Sequence, residues 1–154
     1  MKRIFYTALA ALLTLTVNAQ LNMNLVGQLT YPGARGALSD IWGYVDGNGN
    51  EYALVGLESG TSIVDISNPA SPVEVFWSPG ANTIWRDLKV WNEHVYITNE
   101  GANGLKIIDM SNLPGPITAG DVYQFTGVSY PFNSAHDIYI DENGWAYIMG
   151  ADFQ

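Results

Sequence analysis

The segment Ser62-Ile-Val-Asp-Ile-Ser-Asn-Pro69 recurs further along the chain as Lys106-Ile-Ile-Asp-Met-Ser-Asn-Leu113. Each copy belongs to a longer unit, which opens with an aspartate and an apolar residue and continues with a Tyr-led apolar strand. The opening residues Asp40, Asp87 and Asp137 lie 47 and then 50 residues apart. A period of this length, filled with short strands, predicts the antiparallel four-stranded blades of a β-propeller.

Alternation of apolar and polar residues, together with turn residues, sets the predicted strand bounds. No helix-length apolar period appears after the first twenty residues. The chain holds about two and a half units, with blades at about 34–80, 81–127 and 128–154, so we expect it to be the N-terminal part of a longer propeller. Residues 25–31 are expected to form an isolated outer strand. Packing between blades is expected for the tryptophans Trp42, Trp85, Trp91 and Trp145, with a ligand platform as the alternative. The predicted strands are 40–45, 51–57, 61–67 and 73–77, then 87–91, 94–99, 105–110 and 122–125, then 136–140 and 145–150.

Residues 1–19 have the layout of a secretory signal peptide. Lys2 and Arg3 form a basic start, an apolar run follows, and Val17-Asn18-Ala19 places small residues before a cleavage site. The run is short for a membrane span. An uncleaved anchor is the alternative, but export is favoured, with residues 20–154 as the propeller portion.

The composition narrows the classes of partner and site. The chain carries 6 basic and 15 acidic residues and no cysteine. Such acidity argues against nucleic acid or an anionic membrane as partner, because both are bound through clusters of lysine and arginine. Without cysteine there is no disulfide, thiolate nucleophile or cysteine-bound zinc.

Propeller geometry brings several charged residues to one face. If the first strand of each blade is innermost, the residues that open it and the turns between second and third strands share one end of the central channel. A ring of carboxylates there is a candidate site for a cation or a basic ligand. The alternative is that each aspartate caps its own turn. The candidate ligand-binding residues are Asp40, Glu58, Arg86, Asp87, Glu100, His136 and Asp137, with Arg86 and His136 as partners of neighbouring carboxylates.

One loop has oxygen-bearing side chains at alternate positions. Asp46, Asn48 and Asn50 occupy positions 1, 3 and 5, as in calcium loops, but Leu57 stands where a distal glutamate is required. A glycine-rich hairpin turn explains the same residues. We therefore expect no cofactor, with calcium at Asp46 as the alternative.

The repeated motif carries a family resemblance. Ile63-Val-Asp-Ile-Ser67 resembles the LVIVD repeat, although the second copy has Leu113 where the pattern places proline. Longer strings resemble the choice-of-anchor B family of exported bacterial propeller proteins. That resemblance implies a surface address, with anchoring supplied by a C-terminal segment, and no general activity. The strings are Asp40-Ile-Trp-Gly43, Glu51–Thr61, Trp85-Arg-Asp-Leu-Lys-Val90 and Ser134-Ala-His-Asp-Ile138.

No catalytic motif stands out in the sequence: there is no Gly-x-Ser-x-Gly, His-Glu-x-x-His or phosphate-binding glycine loop. We therefore expect a secreted or cell-surface module of a bacterium that binds an extracellular protein or carbohydrate and has no catalytic residues. The alternative is a hydrolase or lyase with an acidic, calcium-assisted site at the channel mouth, in which His136 and Asp137 form a base and its orienting carboxylate.

Overall fold

The computed structural model describes residues 24–153, so the predicted signal peptide lies outside the described residues. This part of the chain is all-β, with two single-turn 3₁₀ segments and no helix long and apolar enough to cross a membrane. Three antiparallel sheets follow one another along the chain, and we name them blade 1, blade 2 and blade 3. Blade 1 comprises β1 (Leu38–Val45), β2 (Glu51–Leu57), β3 (Gly60–Asp65) and β4 (Val73–Pro79); blade 2 comprises β5 (Leu88–Trp91), β6 (His94–Ile97), β7 (Leu105–Asp109) and β8 (Val122–Phe125); blade 3 is described as the hairpin β9 (Asp137–Ile140) and β10 (Ala146–Met149).

The strands agree closely with those predicted from the sequence. The bounds of β2 and β8 are as predicted, and the other strands differ by one or two residues at an end. The third strands end early for a shared reason: Asp65 and Asp109 accept the amide N–H of Ser67 and Ser111, at 2.8 and 2.9 Å. In these turns a local hydrogen bond to the aspartate side chain replaces the next interstrand hydrogen bond, as expected for an Asp-x-Ser sequence.

The isolated strand expected at Leu25–Tyr31 does not form. A strand needs an adjacent strand edge for its backbone hydrogen bonds, and these residues pair with none among residues 24–153. The segment instead runs past the connection between β3 and β4. Gly27 lies so close to the carbonyl of Pro69 that a Cβ there would be 2.1 Å from the oxygen.

The blades are arranged radially, with their first strands innermost. Within each sheet the strands follow chain order, so β1 and β5 are edge strands of blades 1 and 2. Neighbouring sheets approach each other at these strands: β1 contacts β5, and β5 contacts β9. Sheets that meet along one edge and diverge outward form the wedge-shaped blades of a propeller.

The core lies between the blades. Tyr52, Leu54 and Ile63 of blade 1 share one buried cluster with Leu88 and Ile97 of blade 2. Faces of neighbouring sheets therefore bury each other, and the middle strands need apolar residues on both sides. A second cluster joins blade 2 to blade 3 and comprises Leu105, Phe132, Ala135 and Ile138.

Leu88 tests this packing, because it is fully buried at the start of β5. We expect Leu88→Ala to lower the free energy of unfolding by about 2–5 kcal/mol through lost burial and a residual cavity. Leu25→Ala is the matched control, since Leu25 is 81% exposed, and should change it by less than about 0.5 kcal/mol. Urea unfolding measures both. Equal effects of the two substitutions would contradict an inter-blade core.

Candidate binding site at the inner edge of the blades

The opening aspartates link each blade to the next. The carboxylate of Asp40 accepts the amide N–H of Leu88 at 3.0 Å, and Asp87 accepts that of Ile138, also at 3.0 Å. Both bonds join equivalent positions of successive repeats. Because an edge strand has free backbone groups, these carboxylates satisfy donors that the sheet itself leaves without a partner. Asp40 and Asp87 thus bond across blades, whereas the structural role considered from the sequence was a cap on each aspartate's own turn; Asp137 does accept the adjacent amide of Ile138, at 2.7 Å.

The three aspartates also interact with one another. Partial burial and a hydrogen bond with the Asp87 carboxyl raise the pKa of Asp40. The bond with Asp87, and then burial, raise the pKa of Asp137. Burial alone would raise the pKa of Asp87, but hydrogen bonds from the Asp137, Lys89 and Asp40 side chains, and from the Ile138 amide, lower it to about 2. Asp87 therefore stays ionised, and the three carboxyl groups do not carry equal shares of the negative charge.

Lys89 is the counter-ion at the centre of this group. Its ammonium lies 2.7 Å from Asp87 Oδ1 and 4.6 Å from the centre of the Trp42 ring. An ammonium over an indole face is attracted by the π system. Trp42 of β1 and Asp87 therefore fix Lys89 between blades 1 and 2, and the ammonium forms its ion pair with Asp87.

The three aspartates line a cleft of about 550 Å³ at the inner edge of the blades. We call it the axial cleft. Its volume lies within the range of small-molecule sites. Its walls are residues 37–40 of the entry to β1, residues 84–87 of the entry to β5, and His136 and Asp137. The structure thus brings together five of the residues predicted from the sequence: Asp40, Arg86, Asp87, His136 and Asp137.

The rim of the axial cleft is aromatic and polar. His136 Nδ1 lies 2.5 Å from Glu100 Oε1, and both side chains are exposed. The ring of Trp85 lies 6.0 Å from the His136 ring, and Trp85 is 54% exposed. His136 therefore pairs with Glu100, and not with its chain neighbour Asp137. Trp85, which we expected to pack between blades, is an exposed rim residue.

Arg86 and Glu58 differ from the expected arrangement. The Arg86 guanidinium pairs with no aspartate; it points between blades 1 and 2 and donates to the carbonyls of Leu57 and Ala81, at 3.1 and 2.8 Å. Side chains of adjacent strand residues alternate in direction, which explains why it diverges from Asp87. Glu58 lines a separate, smaller cleft beside Gly33–Gly36. Neither side chain adds its charge to the aspartate group.

The loop considered for calcium is a hydrogen-bonded turn. Asp46 Oδ1 accepts the amides of Asn48 and Asn50 at 2.8 and 2.9 Å, while Oδ2 faces the Asn50 amide group and the Tyr52 hydroxyl. Asp141 makes the equivalent bonds to residues two, four and six positions later. These bonds explain the turn sequence without a cation. Within residues 24–153, no group of three or more histidines and carboxylates is arranged to hold a metal ion.

Comparison with protein families agrees with the repeat geometry. The LVIVD repeat model matches residues 38–77 and 85–123, which together make up just over half of the chain. The chain belongs to the LVIVD-repeat family. The two matches cover most of blades 1 and 2, and both end within the fourth strand. Neither the curated proteins nor the solved structures gave a match.

The charge of Asp87 should make stability pH-dependent. The pKa of a free aspartate is about 3.9, and that of Asp87 is about 2. Its contribution is therefore fully present above the unfolded value and is lost as the pH falls towards 2. We expect Asp87→Asn to lower the free energy of unfolding at pH 7 and to flatten its decline between these two values, measured by urea unfolding across pH. The exposed Glu142→Gln control should leave the profile unchanged; a profile unaltered in Asp87→Asn would contradict this role.

Proposed function

We propose that this LVIVD-repeat chain is an exported binding module whose axial cleft receives a cationic group of an extracellular ligand. The observation that carries the proposal is the axial cleft itself, which the residues Asp40, Asp87 and Asp137 line beside an exposed tryptophan, with only Asp87 of the three in an ion pair with a described cation. The ligand class that fits is a lysine- or arginine-bearing segment of an extracellular protein. Carbohydrate, the other ligand expected from the sequence, is an outcome of the test.

The ligand chemistry follows from the unequal charges of the cleft. Burial and then the hydrogen bond with Asp87 raise the pKa of Asp40, and the same bond and then burial raise the pKa of Asp137; neither carboxyl group forms an ion pair with a described cation. A bound ammonium or guanidinium would supply that partner and would lower both pKa values. The exposed Trp85 ring offers an apolar face for the methylene stem of a lysine or arginine.

Export and surface display rest on the sequence. The apolar N-terminal segment supports secretion, and the strings Asp40-Ile-Trp-Gly43 and Ser134-Ala-His-Asp-Ile138 support membership of the choice-of-anchor B group within the LVIVD-repeat proteins. On this proposal the chain is a bacterial secreted or cell-surface protein, and anchoring is supplied by a C-terminal segment.

One observation favours the catalytic alternative. The His136 imidazole is hydrogen-bonded to the Glu100 carboxylate at the rim of an acidic cleft. A histidine oriented by a carboxylate is the usual arrangement of a general base. A hydrolase or lyase would use His136 to remove a proton from a substrate or water held by the aspartates.

Export makes a prediction about the mature N-terminus. We expect the full chain, produced in a bacterium, to be released from the cytoplasm and to begin at Gln20, since cleavage follows Ala19. Mass spectrometry of the exported protein measures this. An Ala19→Arg variant should remain unprocessed, because small residues are required before the cleavage site. Retention of residues 1–19 in the wild-type chain would contradict the proposal.

Binding makes a second prediction. A Lys/Arg-rich peptide should bind the full chain with an affinity that falls as salt rises, and Trp85→Ala should weaken it by about tenfold, in line with a desolvated cation–π contact. Trp145→Ala is the matched control, since Trp145 is 71% exposed and does not line the axial cleft. Fluorescence anisotropy with a labelled peptide measures both, alongside a Glu-rich peptide and a neutral oligosaccharide.

The same titrations separate the alternatives. Equal binding of the basic and acidic peptides would contradict the cationic ligand, and preference for the oligosaccharide would assign the cleft to carbohydrate. Turnover of a bound ligand that is abolished in His136→Ala would favour the enzyme. An increase in melting temperature on addition of calcium would support a calcium-assisted form of that enzyme.

A further inference from the structure

The four basic side chains of residues 24–153 fall into two classes. Arg35 pairs with Glu74 through two hydrogen bonds, and Lys89 pairs with Asp87. Arg86 and Lys106 are more deeply buried, with 3% and 5% exposure, yet neither forms an ion pair with any described carboxylate. A buried charge without a counter-ion is costly, so this exception in an acidic chain calls for an explanation.

Arg86 has donors that the blades do not use. Its Nε and Nη2 atoms donate to the carbonyls of Leu57, Glu58 and Ala81. Its Nη1 atom donates to no described residue, and it is not among the enclosed polar atoms that lack a partner. The guanidinium is thus fixed by three carbonyls while one edge remains free for a further acceptor.

Lys106 reaches the same region from β7. Its ammonium donates to the Ser78 hydroxyl at 3.0 Å and to the Pro79 carbonyl, both of blade 1. An ammonium has three donors, so one remains. Burial, followed by the like charge of Arg86, lowers the pKa of Lys106 to about 8. It is therefore mainly protonated at neutral pH.

Both cations line one cleft of about 400 Å³ between blades 1 and 2. We call it the inter-blade cleft. Residues 79–81 and the uncharged residues Asn99, Asn103 and Gln124 also line it. No carboxylate among residues 24–153 does. The cleft therefore combines two fixed positive charges with amide groups, and its volume exceeds that of a simple ion.

The preceding repeat shows what kind of group is missing. Ser62 occupies the position of Lys106 in the repeated motif. Its hydroxyl donates to Glu74 at 2.6 Å, and Arg35 holds the same carboxylate. In the first repeat a carboxylate of the chain itself thus neutralises Arg35 beside this motif position. In the second repeat Lys106 replaces Ser62 and Arg86 replaces Ser39, and no described carboxylate forms an ion pair with either cation.

We propose that the inter-blade cleft binds a small organic anion, whose carboxylate or phosphate group bridges Arg86 and Lys106. The anion takes the place that Glu74 fills in the preceding repeat. Its oxygens accept from Arg86 Nη1 and from the remaining ammonium proton of Lys106, which are charge-assisted bonds. Asn99, Asn103 and Gln124 then face the uncharged part of the molecule. This site shares Arg86 with the axial cleft, but Lys106 and the three amide side chains line only the inter-blade cleft of the two, and the proposed charge preference is the opposite one.

Isothermal titration of the full chain with sodium glucuronate and with inorganic phosphate tests the proposal. We expect saturable binding of at least one, and none of the uncharged methyl ester of glucuronate; which anion binds decides between carboxylate and phosphate. Because the bound anion raises the pKa of Lys106, binding at about pH 8.5 should be accompanied by proton uptake. The dependence of the measured enthalpy on buffer ionisation reports that uptake.

Two variants identify the site. Lys106→Gln should weaken binding by about tenfold or more and abolish the proton uptake, since a charged hydrogen bond is lost. Gln124 lies directly opposite Lys106 in the pairing of β7 with β8. Gln124→Glu should place a carboxylate in the cleft and abolish anion binding. It should also raise the melting temperature, and this rise would show that the variant is folded. Gln28→Glu, an exposed residue outside the cleft, makes the same charge change and should leave binding unaltered.

Three results would contradict the proposal. If neither anion binds saturably, or if Gln124→Glu binds as the wild type does, the inter-blade cleft is not an anion site. Proton uptake that persists in Lys106→Gln would assign binding elsewhere and would also overturn the proposal.

Discussion

The hydrogen bond from the opening aspartate of one blade to an amide of the next is the contact on which the architecture depends. Asp40 and Asp87 accept from Leu88 and Ile138 at the places where neighbouring sheets approach each other. Each inner strand is an edge, so its outward amides must find acceptors outside the sheet. A carboxylate at the same position of every repeat meets this need and fixes the spacing of the blades. Radial arrangement then gathers negative charge around the axis, so the acidic cleft is a direct consequence of how the blades are joined.

Much of the fold could be read from the sequence because the decisive signals are local. The bounds of β2 and the turn at Asp65 follow from alternation and from side-chain hydrogen bonds within a few residues. The gathering of the aspartates also followed, since equivalent positions of a radial repeat must meet. The long side chain of Arg86 was misplaced because its partners are carbonyls outside its own strand, Leu57 of blade 1 and Ala81 of the connection between the blades. The sequence did offer a signal for this, because neighbouring residues of an extended segment, such as Arg86 and Asp87, point in opposite directions.

The two other errors have different causes. Leu25–Tyr31 resembles a fourth strand, but a strand depends on a partner edge, which its own residues cannot reveal. Trp85 looked like a packing residue because tryptophans are usually well buried. Its place in a connection at the inner edge leaves the ring beside His136 and largely exposed. Strand formation in the first case and burial in the second thus depend on the neighbouring parts of the structure and not on the residue type alone.

Positions that the repeats share build the fold, and positions where they differ offer function. The opening aspartates and the turns at Asp65 and Asp109 recur with the same bonds. The motif position that carries Ser62 in the first repeat carries Lys106 in the second, so a neutral hydrogen-bonding group is replaced by a cation. Lys106 lines the inter-blade cleft and the opening aspartates line the axial cleft, while Arg86 lines both. On the two proposals above, the clefts would select ligands of opposite charge although a single arginine lies between them.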